Sequence, residues 1–208
     1  MRVRQVHGNV VRVLTRGALT AGAAQEQPAA DAIVTNTPGL VLAVMMADCV
    51  PVLLADRVTG AVAAIHAGWR GTCARVGPAA VAAMCEHFGT EPSDVVAAIG
   101  PSIGPDDYEV GDALIEAFQA AGHSAADVDR WFSRRPVRVH LDLWTANRDQ
   151  LMEAGVPGAQ IFTCGLSTRA HVDVFDSFRA AGERAGRMAA VIAAPHAETG
   201  PFSLLDNS

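Results

Sequence analysis

Two histidines and one cysteine are the residues of this chain whose types and settings suggest chemistry. His7 lies in a polar turn near the start of the sequence. Cys49 follows Asp48 inside an apolar stretch, and His66 ends an apolar run just before Gly68. Neutral imidazole and thiolate are the ligands that zinc prefers, and three protein ligands with one open position are the catalytic pattern. The spacing of the three contains no short-range metal motif, so an ordinary buried cysteine and two ordinary histidines remain the alternative.

Four further residues are candidates for work on a substrate. Arg70 and Arg179 carry guanidinium groups, whose planar geometry matches phosphate, although a carboxylate salt bridge is the alternative role for Arg70. Asp48 is a candidate general base or orienting group, and a structural carboxylate is its alternative. Trp69 is a candidate for stacking on a ring of the substrate, with packing in the core as the alternative.

Composition and charge exclude several classes of protein. The chain has 208 residues, of which 50% are hydrophobic and 18% charged, so we expect one domain over 1–208 with one sizeable core. The formal net charge of -6 predicts no nucleic-acid partner and no anionic membrane partner. The first residues are interrupted by Arg and His, unlike a signal peptide, and the apolar stretch Leu40–Ala55 contains Asp48 and Pro51, unlike a membrane span. We therefore expect a soluble, cytoplasmic protein.

The counts of cysteine and histidine limit the metal chemistry. The four cysteines include no C-x-x-C pair, which indicates reduced thiols rather than a disulfide framework. We assign no role to Cys73, Cys85 or Cys164. The seven histidines include no H-x-H pair, whereas a centre of several copper ions needs many imidazole ligands, largely in such pairs. One chain therefore does not provide the ligands of a multicopper centre.

Apolar runs separated by turn residues predict the elements that position these candidates. The predicted strands are Val10–Leu14, Ala32–Thr35, Leu40–Met46, Val50–Ala55, Ala61–Ile65, Val95–Ile99, Val137–Leu141, Ile161–Thr163 and Met188–Ala193. The predicted helices are Arg75–Phe88, ending at Gly89, Asp112–Ala121 and Trp144–Ala154. The early strands cluster without helices between them, which favours a mixed-sheet α/β or α+β fold over a regular doubly wound one. We expect a loop over Gly17–Asp31 and a loose tail over Pro195–Ser208.

The most specific motifs are, in order, QVHG, DAIVTN, MADCVPVLLAD, IHAGWRGT, IGPSIGPDDYEVG and STRAHVDVFDSFRAAGERAGRM. Together they resemble the laccase-domain family, also known as the peptidoglycan editing factor, multicopper polyphenol oxidase or purine nucleoside phosphorylase family. The resemblance covers nearly the whole chain. It implies a four-layer α/β/β/α sandwich with mixed sheets. It also implies that zinc is bound by His7, Cys49 and His66.

The resemblance implies an enzyme acting on small molecules. The expected reaction is zinc-dependent phosphorolysis of adenosine, inosine or similar purine nucleosides, with deamination of adenosine as a side activity. In this hypothesis the zinc lowers the pKa of a bound water to about 7, Cys49, His66, Asp48 and Arg70 are catalytic, and Arg70 and Arg179 bind phosphate.

Three alternatives stay open. In one, His66 activates Cys49 as the nucleophile of an amidase that edits cytosolic muramyl precursors. In another, a copper ion replaces zinc and oxidises phenols, because copper binds N and S ligands more tightly. In the third, the protein holds zinc without being an enzyme. The sequence predicts no particular oligomeric state.

The chain departs from the family pattern at several positions. The family usually carries a further segment before QVHG, which leaves two alternatives: the start of this sequence is misplaced, or this member lacks a flanking strand and helix. His7, so near the start, is therefore expected to be prone to fraying. The late block has Ser167 where the family often has Cys, and Ala180 where it has a second Arg. Cysteines common in the GP-x-I-G block are replaced, here by Ser102, Asp106 and Asp107. These departures spare the three predicted metal ligands.

Overall fold

A computed structural model of the chain describes residues 1–18, 27–135 and 138–196. The strands of this part are β1 (Val11–Leu14), β2 (Ala32–Thr35), β3 (Val41–Met46), β4 (Val50–Asp56), β5 (Val62–Ala67), β6 (Val95–Ile99), β7 (Glu109–Val110), β8 (Phe132–Arg134), β9 (Val139–Leu141), β10 (Ile161–Thr163) and β11 (Met188–Ala193). The helices are α1 (Arg16–Ala18), α2 (Trp69–Cys73), α3 (Val76–Phe88), α4 (Ala113–Ala120), α5 (Ala125–Trp131), α6 (Leu143–Glu153) and α7 (Phe178–Ala181).

The largest sheet has six strands in the order β1-β2-β5-β4-β6-β10. β1 and β2 pair in parallel, as do β6 and β10, whereas the central pairs are antiparallel. The sheet is therefore mixed, as the clustering of the early strands predicts. Every residue of β2 and β5 is buried, because other layers cover both faces of a central strand in such a sheet.

Two hydrophobic clusters occupy the two faces of this sheet. On one face, α3 and α6 pack over residues such as Ile65. On the other face, the antiparallel pair β3–β11 packs over residues such as Ile33. A third sheet, in the order β7-β9-β8, lies beside α5, which packs against α4 and adds Trp131 to the first cluster. The predicted fold class, a mixed α/β fold with several sheets, is confirmed, and the described residues supply three layers of the predicted four-layer α/β/β/α sandwich.

The outward face of the β3–β11 pair is open in the part of the chain that the structure describes. Val41 and Val191, which point away from the cluster on the inner face, are 49% and 55% exposed. Described residues thus form three layers: the helices, the six-stranded sheet and the two-stranded sheet. None of the described helices, the longest of which has 13 residues, has the length and apolarity of a membrane span.

Most predicted elements are confirmed, with their ends moved by one or two residues. α3 ends as predicted at Gly89, which adopts the left-handed conformation with φ 68° and donates its N–H to Cys85 O. No sequence pattern predicted α1, α2, α5, α7, β7 or β8, because such short elements carry too few residues for a periodic pattern. α5, for example, begins where the Ser124 side chain accepts from Asp127 N. α1 also occupies the first two residues of the predicted loop Gly17–Asp31.

Three predictions lie wholly or partly outside the described residues. The first is the start of the strand predicted at Val137, of which Val139–Leu141 is described as β9. The second is the middle of the predicted loop Gly17–Asp31. The third is most of the predicted tail Pro195–Ser208. His196, at the start of that tail, packs closely on the turn at Gly39, because a Cβ there would lie 2.6 Å from the imidazole.

Candidate metal centre

The register of the six-stranded sheet brings three polar residues to one edge. β4 and β5 pair so that Pro51 lies opposite His66, and Cys49 comes just before β4. On the other side of β5, the N–H of His66 donates to the carbonyl of Asp31 at 2.7 Å, and Asp31 comes just before β2. Cys49, His66 and Asp31 therefore meet where their strands begin or end.

His7 joins this edge from the turn that contains QVHG. One nitrogen of His7, one nitrogen of His66 and the Sγ of Cys49 lie within 4.8 Å of one another. The two imidazoles meet edge to face, with ring centroids 4.8 Å apart. His66 is buried, Cys49 is half-buried and His7 is exposed, so the group opens to solvent on one side. The three predicted metal ligands thus come together, although they are far apart in the sequence.

A fully buried carboxylate holds two of these ligands at once. Oδ1 of Asp31 accepts from Nδ1 of His66 at 2.9 Å and from the N–H of His7 at 2.9 Å. Oδ2 accepts from the N–H groups of Val6 at 3.2 Å and Gly8 at 2.6 Å. Because Asp31 occupies Nδ1, the Nε2 of His66 is the nitrogen left to bind a metal.

The turn that carries His7 is fixed at both of its ends. The side-chain amide of Gln5 donates to Met45 O at 2.7 Å and accepts from Met45 N at 2.8 Å. The amide of Asn9 donates to Ala74 O at 2.8 Å. His7 itself has φ 61°, a left-handed conformation that the Asp31 carboxylate stabilises through its backbone contacts. The fraying expected from the position of His7 is therefore opposed by these contacts.

At two glycines of the HAGWRG motif, a side chain is excluded by lack of space rather than by an unusual backbone angle. A Cβ on Gly68 would lie 2.8 Å from the Sγ of Cys49 and 3.2 Å from Cδ2 of His7. A Cβ on Gly71 would lie 3.1 Å from the carbonyl oxygen of Gly8. Both glycines therefore leave room for the QVHG turn to approach β5 and bring His7 to the thiol.

The electrostatics of the group favour a deprotonated thiol. Burial by itself raises the pKa of Cys49, but hydrogen bonds to His66 and His7 lower it from 9.0 to about 7. Burial lowers the pKa of His66, but hydrogen bonds to Asp31 and Cys49 raise it from 6.5 to about 9. Thiolate is the form of cysteine that binds metals. One thiolate and two imidazoles, with space on the open side, fit a zinc ion with a position left for substrate.

A cavity of about 670 Å³ adjoins these three ligands. Besides His7, Cys49 and His66, its wall includes Arg2, Arg4, Phe178 and Arg187. None of these four residues was predicted from the sequence, because Arg2 and Arg4 show no local pattern and the other two lie in the late block, far along the chain from the predicted ligands. The role of Asp31, which stands in the DAIVTN motif, was not predicted either. The only signal for Asp31 was its place just before a buried strand.

Asp48 lies next to the centre but outside the cavity wall. It is 8% exposed and has φ 83°. Its Oδ1 accepts from Oγ1 of Thr168 at 2.6 Å, and its Oδ2 accepts from the N–H of Arg179 at 2.6 Å. The carboxylate thus ties the β3–β4 turn to the late block. Its role as a general base stays a prediction, and these contacts favour the structural alternative.

The two predicted phosphate ligands also lie outside the cavity wall. The guanidinium of Arg70 lies 4.3 Å from the ring centroid of Trp69, which packs against the first hydrophobic cluster. The guanidinium of Arg179 lies 5.1 Å from the ring centroid of Tyr108 and donates to Glu109 O at 2.9 Å. Burial raises the pKa of Tyr108 to about 12, and both arginines partly oppose that rise. Phosphate binding by Arg70 and Arg179 stays a prediction.

Comparison with known proteins places these motifs in a family. A family model described as "Multi-copper polyphenol oxidoreductase laccase" matches residues 1–195. A protein of Bacteroides thetaiotaomicron named purine nucleoside phosphorylase is 45% identical over 160 residues, which are 76% of this chain and 58% of that protein. Adenosine deaminase RL5, from an unknown prokaryotic organism, is 43% identical over 159 residues, which are 76% of this chain and 59% of that protein. The chain thus spans less than two thirds of the length of these two relatives.

Solved structures agree with that placement. The crystal structure of the Bacillus licheniformis hypothetical protein YfiH matches with a TM-score of 0.83 and 32% sequence identity, covering 92% of this chain and 73% of that one. The sequence motifs, the fold and the family model therefore point the same way. This chain belongs to the laccase-type multi-copper polyphenol oxidoreductase family, which its motifs resemble.

Proposed function

We propose that this protein is a zinc-dependent purine nucleoside phosphorylase, with deamination of adenosine as a side activity. The observation that carries the proposal is the convergence of His7, Cys49 and His66 on the wall of a cavity of about 670 Å³. That volume is in the range of small-molecule sites, roughly 300–1,000 Å³. Relatives named purine nucleoside phosphorylase and adenosine deaminase support the substrate class.

The residues around the cavity have separate roles in this proposal. His7, Cys49 and His66 would hold a zinc ion, which would supply a Lewis acid next to the substrate. Asp31 fixes the orientation of His66 and the position of His7. Phe178, which is 48% exposed on the cavity wall, offers an aromatic face on which a purine can stack.

Phosphorolysis also sets a requirement for charge. A phosphate oxygen forms a bond to C1′ of the ribose, the bond from C1′ to the purine N9 breaks, and the leaving purine takes up a proton. The protein must therefore hold an anion beside the ribose and keep competing water away. Positively charged side chains on the cavity wall meet the first requirement.

Metal analysis and product chromatography test the proposal together. Zinc should be bound at one ion per chain, and adenosine with phosphate should give adenine and ribose 1-phosphate, whereas inosine would indicate deamination. Cys49→Ala should lose both the zinc and the activity, while Cys164→Ala, which changes an exposed cysteine, should keep both. If zinc-loaded protein forms neither adenine with ribose 1-phosphate nor inosine, the proposal is refuted.

One observation favours a second candidate, a cysteine amidase. The Cys49 thiol contacts His66, and His66 contacts Asp31, which is the order of contacts in a Cys-His-Asp triad. The pKa of the thiol is about 7. Such an enzyme needs no third metal ligand. His7→Ala should therefore abolish the proposed zinc-dependent reaction but spare amide hydrolysis by a metal-free enzyme. Retention of amidase activity in metal-free His7→Ala protein would support this second candidate.

A further inference from the structure

The positive charge on the wall of the cavity beside the metal centre comes from three arginines, none of which has been given an individual role so far. Arg2, Arg4 and Arg187 lie on its wall, and among the described residues no Asp or Glu does. The chain as a whole has a formal net charge of -6, so this wall differs in sign from the rest of the molecule. Like charges that share a cavity repel one another, and a bound anion relieves that repulsion.

These arginines also differ from others in their partners. Arg75, Arg130 and Arg138 each donate to a carboxylate oxygen at 2.5–2.7 Å. Within residues 1–18, 27–135 and 138–196, neither Arg2 nor Arg4 is paired with a carboxylate. Arginines that face a cavity without a carboxylate partner keep their N–H donors available for a ligand.

Among the residues that the structure describes, neutral groups hold Arg187 at the wall. Its Nη1 donates to the carbonyl oxygens of Ala185 at 2.9 Å and Gly186 at 2.8 Å. Its guanidinium lies 5.8 Å from the ring centroid of Phe178, within the range of a cation–π contact. These contacts position the guanidinium without neutralising it. An anion bound there would lie beside the ring on which we propose that the purine stacks.

We propose that Arg4 and Arg187, assisted by Arg2, form the subsite that binds inorganic phosphate. The inference rests on the proposed phosphorolysis, and it names the group that binds the co-substrate. Guanidinium groups match phosphate because they can donate two parallel hydrogen bonds to its oxygens. The subsite lies on the same cavity wall as His7, Cys49 and His66, so the phosphate is bound next to the ion and the nucleoside.

Calorimetric titration of the zinc-loaded full chain with inorganic phosphate tests the subsite directly. Arg4→Gln and Arg187→Gln should each raise the Kd for phosphate about tenfold, the loss expected for a charge-assisted hydrogen bond. Arg184→Gln is the matched control, because Arg184 is an exposed arginine of the same segment that is outside the cavity wall. Arg187→Lys should recover part of the affinity. Unchanged phosphate affinity in Arg4→Gln and Arg187→Gln, or no phosphate binding by the wild type, overturns the inference.

Kinetic measurements separate failure of the subsite from failure of the proposed function. If adenosine turnover requires phosphate, the KM for phosphate should rise about tenfold in Arg4→Gln and Arg187→Gln, as the binding constant does. Phosphate-dependent turnover with a wild-type KM in both variants would overturn the subsite and leave the proposed function standing. Weakened phosphate binding in a protein without phosphorolysis would support the subsite and refute the proposed function.

Discussion

Asp31 and Asp56 are two fully buried aspartates at opposite ends of the six-stranded sheet. Asp31 comes just before β2, whereas Asp56 is the last residue of β4, and these two strands run in the same direction. Each carboxylate accepts several hydrogen bonds. Asp56 accepts from the N–H groups of Val58 and Thr59 and from the Thr59 hydroxyl, two or three residues away. The partners of Asp31 lie 23 to 35 residues away.

This difference shows that the same group, a buried and hydrogen-bonded carboxylate, serves two purposes in this protein. Burial raises the pKa of both carboxyl groups, but hydrogen bonds lower it overall. For Asp31 these hydrogen bonds come from His66 and the backbone of the QVHG turn. For Asp56 they come chiefly from Thr59. Asp56 stabilises chiefly its own turn, with one further side-chain contact to Thr90. Asp31 joins two separate segments, and both of them supply ligands to the metal centre. We therefore infer that Asp56 contributes to stability alone, whereas Asp31 contributes to stability and to metal affinity.

The substitution Asp31→Asn should give the largest loss of zinc affinity. The amide nitrogen cannot accept a hydrogen bond, so Asp31→Asn leaves either His66 and His7, or Val6 and Gly8, facing a donor. We expect zinc affinity to fall about 10–100-fold, the usual effect of losing a group that orients a metal ligand. Competition with a chromophoric chelator measures that change.

Asp56→Asn is the matched control for this prediction. It also places an amide nitrogen in front of N–H donors, so it should destabilise the metal-free protein by about 1–3 kcal/mol, as an unsatisfied buried group does. Zinc affinity should stay at the wild-type value. Equal losses of affinity in the two variants would show that Asp31 acts through general stability and would remove the distinction between the two aspartates.

The substitution Gly68→Ala should give the next largest loss of zinc affinity. The added Cβ of Gly68→Ala would lie 2.8 Å from the Sγ of Cys49, so either the thiol or the His7 turn must move. We expect zinc affinity to fall about tenfold, because a displaced ligand weakens the whole site. Gly111→Ala is the control, since a Cβ there has nothing within 4 Å. Chelator competition showing wild-type affinity in Gly68→Ala would contradict the tight packing of the ligands.

The rate at which Cys49 is alkylated tests whether Asp31 and Asp56 differ in their effect on the charge of the thiol. In metal-free protein the pKa of about 7 means that the rate with iodoacetamide should rise through neutral pH, and zinc should suppress it. Asp31→Asn weakens the support for a charged His66, so the Cys49 pKa should rise and the rate at neutral pH should fall about tenfold per pKa unit. Asp56→Asn should not change the rate. Peptide mass spectrometry as a function of pH measures each thiol separately.

The smallest expected effect is the pH dependence of stability at the Asp56 end. Because the folded-state pKa of Asp56 is lowered, the carboxylate stabilises the protein above the unfolded pKa of about 3.9, and that contribution is lost as the pH falls through the folded-state pKa. The difference in free energy of unfolding between wild type and Asp56→Asn should therefore shrink in acid. Urea unfolding of metal-free protein at neutral and acidic pH gives that difference. A gap that widened in acid would contradict the assigned hydrogen bonds.

The sequence predicted most of the long elements and the three candidate ligands, but for different reasons. The strands and α3 follow from runs and spacing of apolar residues, which depend only on neighbouring positions. His7, Cys49 and His66 stood out by residue type, and the family resemblance made zinc the expected ion. Short elements such as α5 and β7 escaped prediction because pairing and packing with distant segments, rather than local pattern, stabilise them.

The sequence by itself determined the turn at Asp56, because an aspartate with threonine three residues later and glycine four residues later binds its own backbone over two or three residues. It also determined the apolar strands and the types of residue available as ligands. Only the tertiary structure decided that Asp31 would hold His66 and His7, that Gly68 would leave room for the thiol, and that Arg4 and Arg187 would share a cavity. The reason is physical: these contacts join segments far apart in the chain, and the register of β2, β4 and β5 sets their distances.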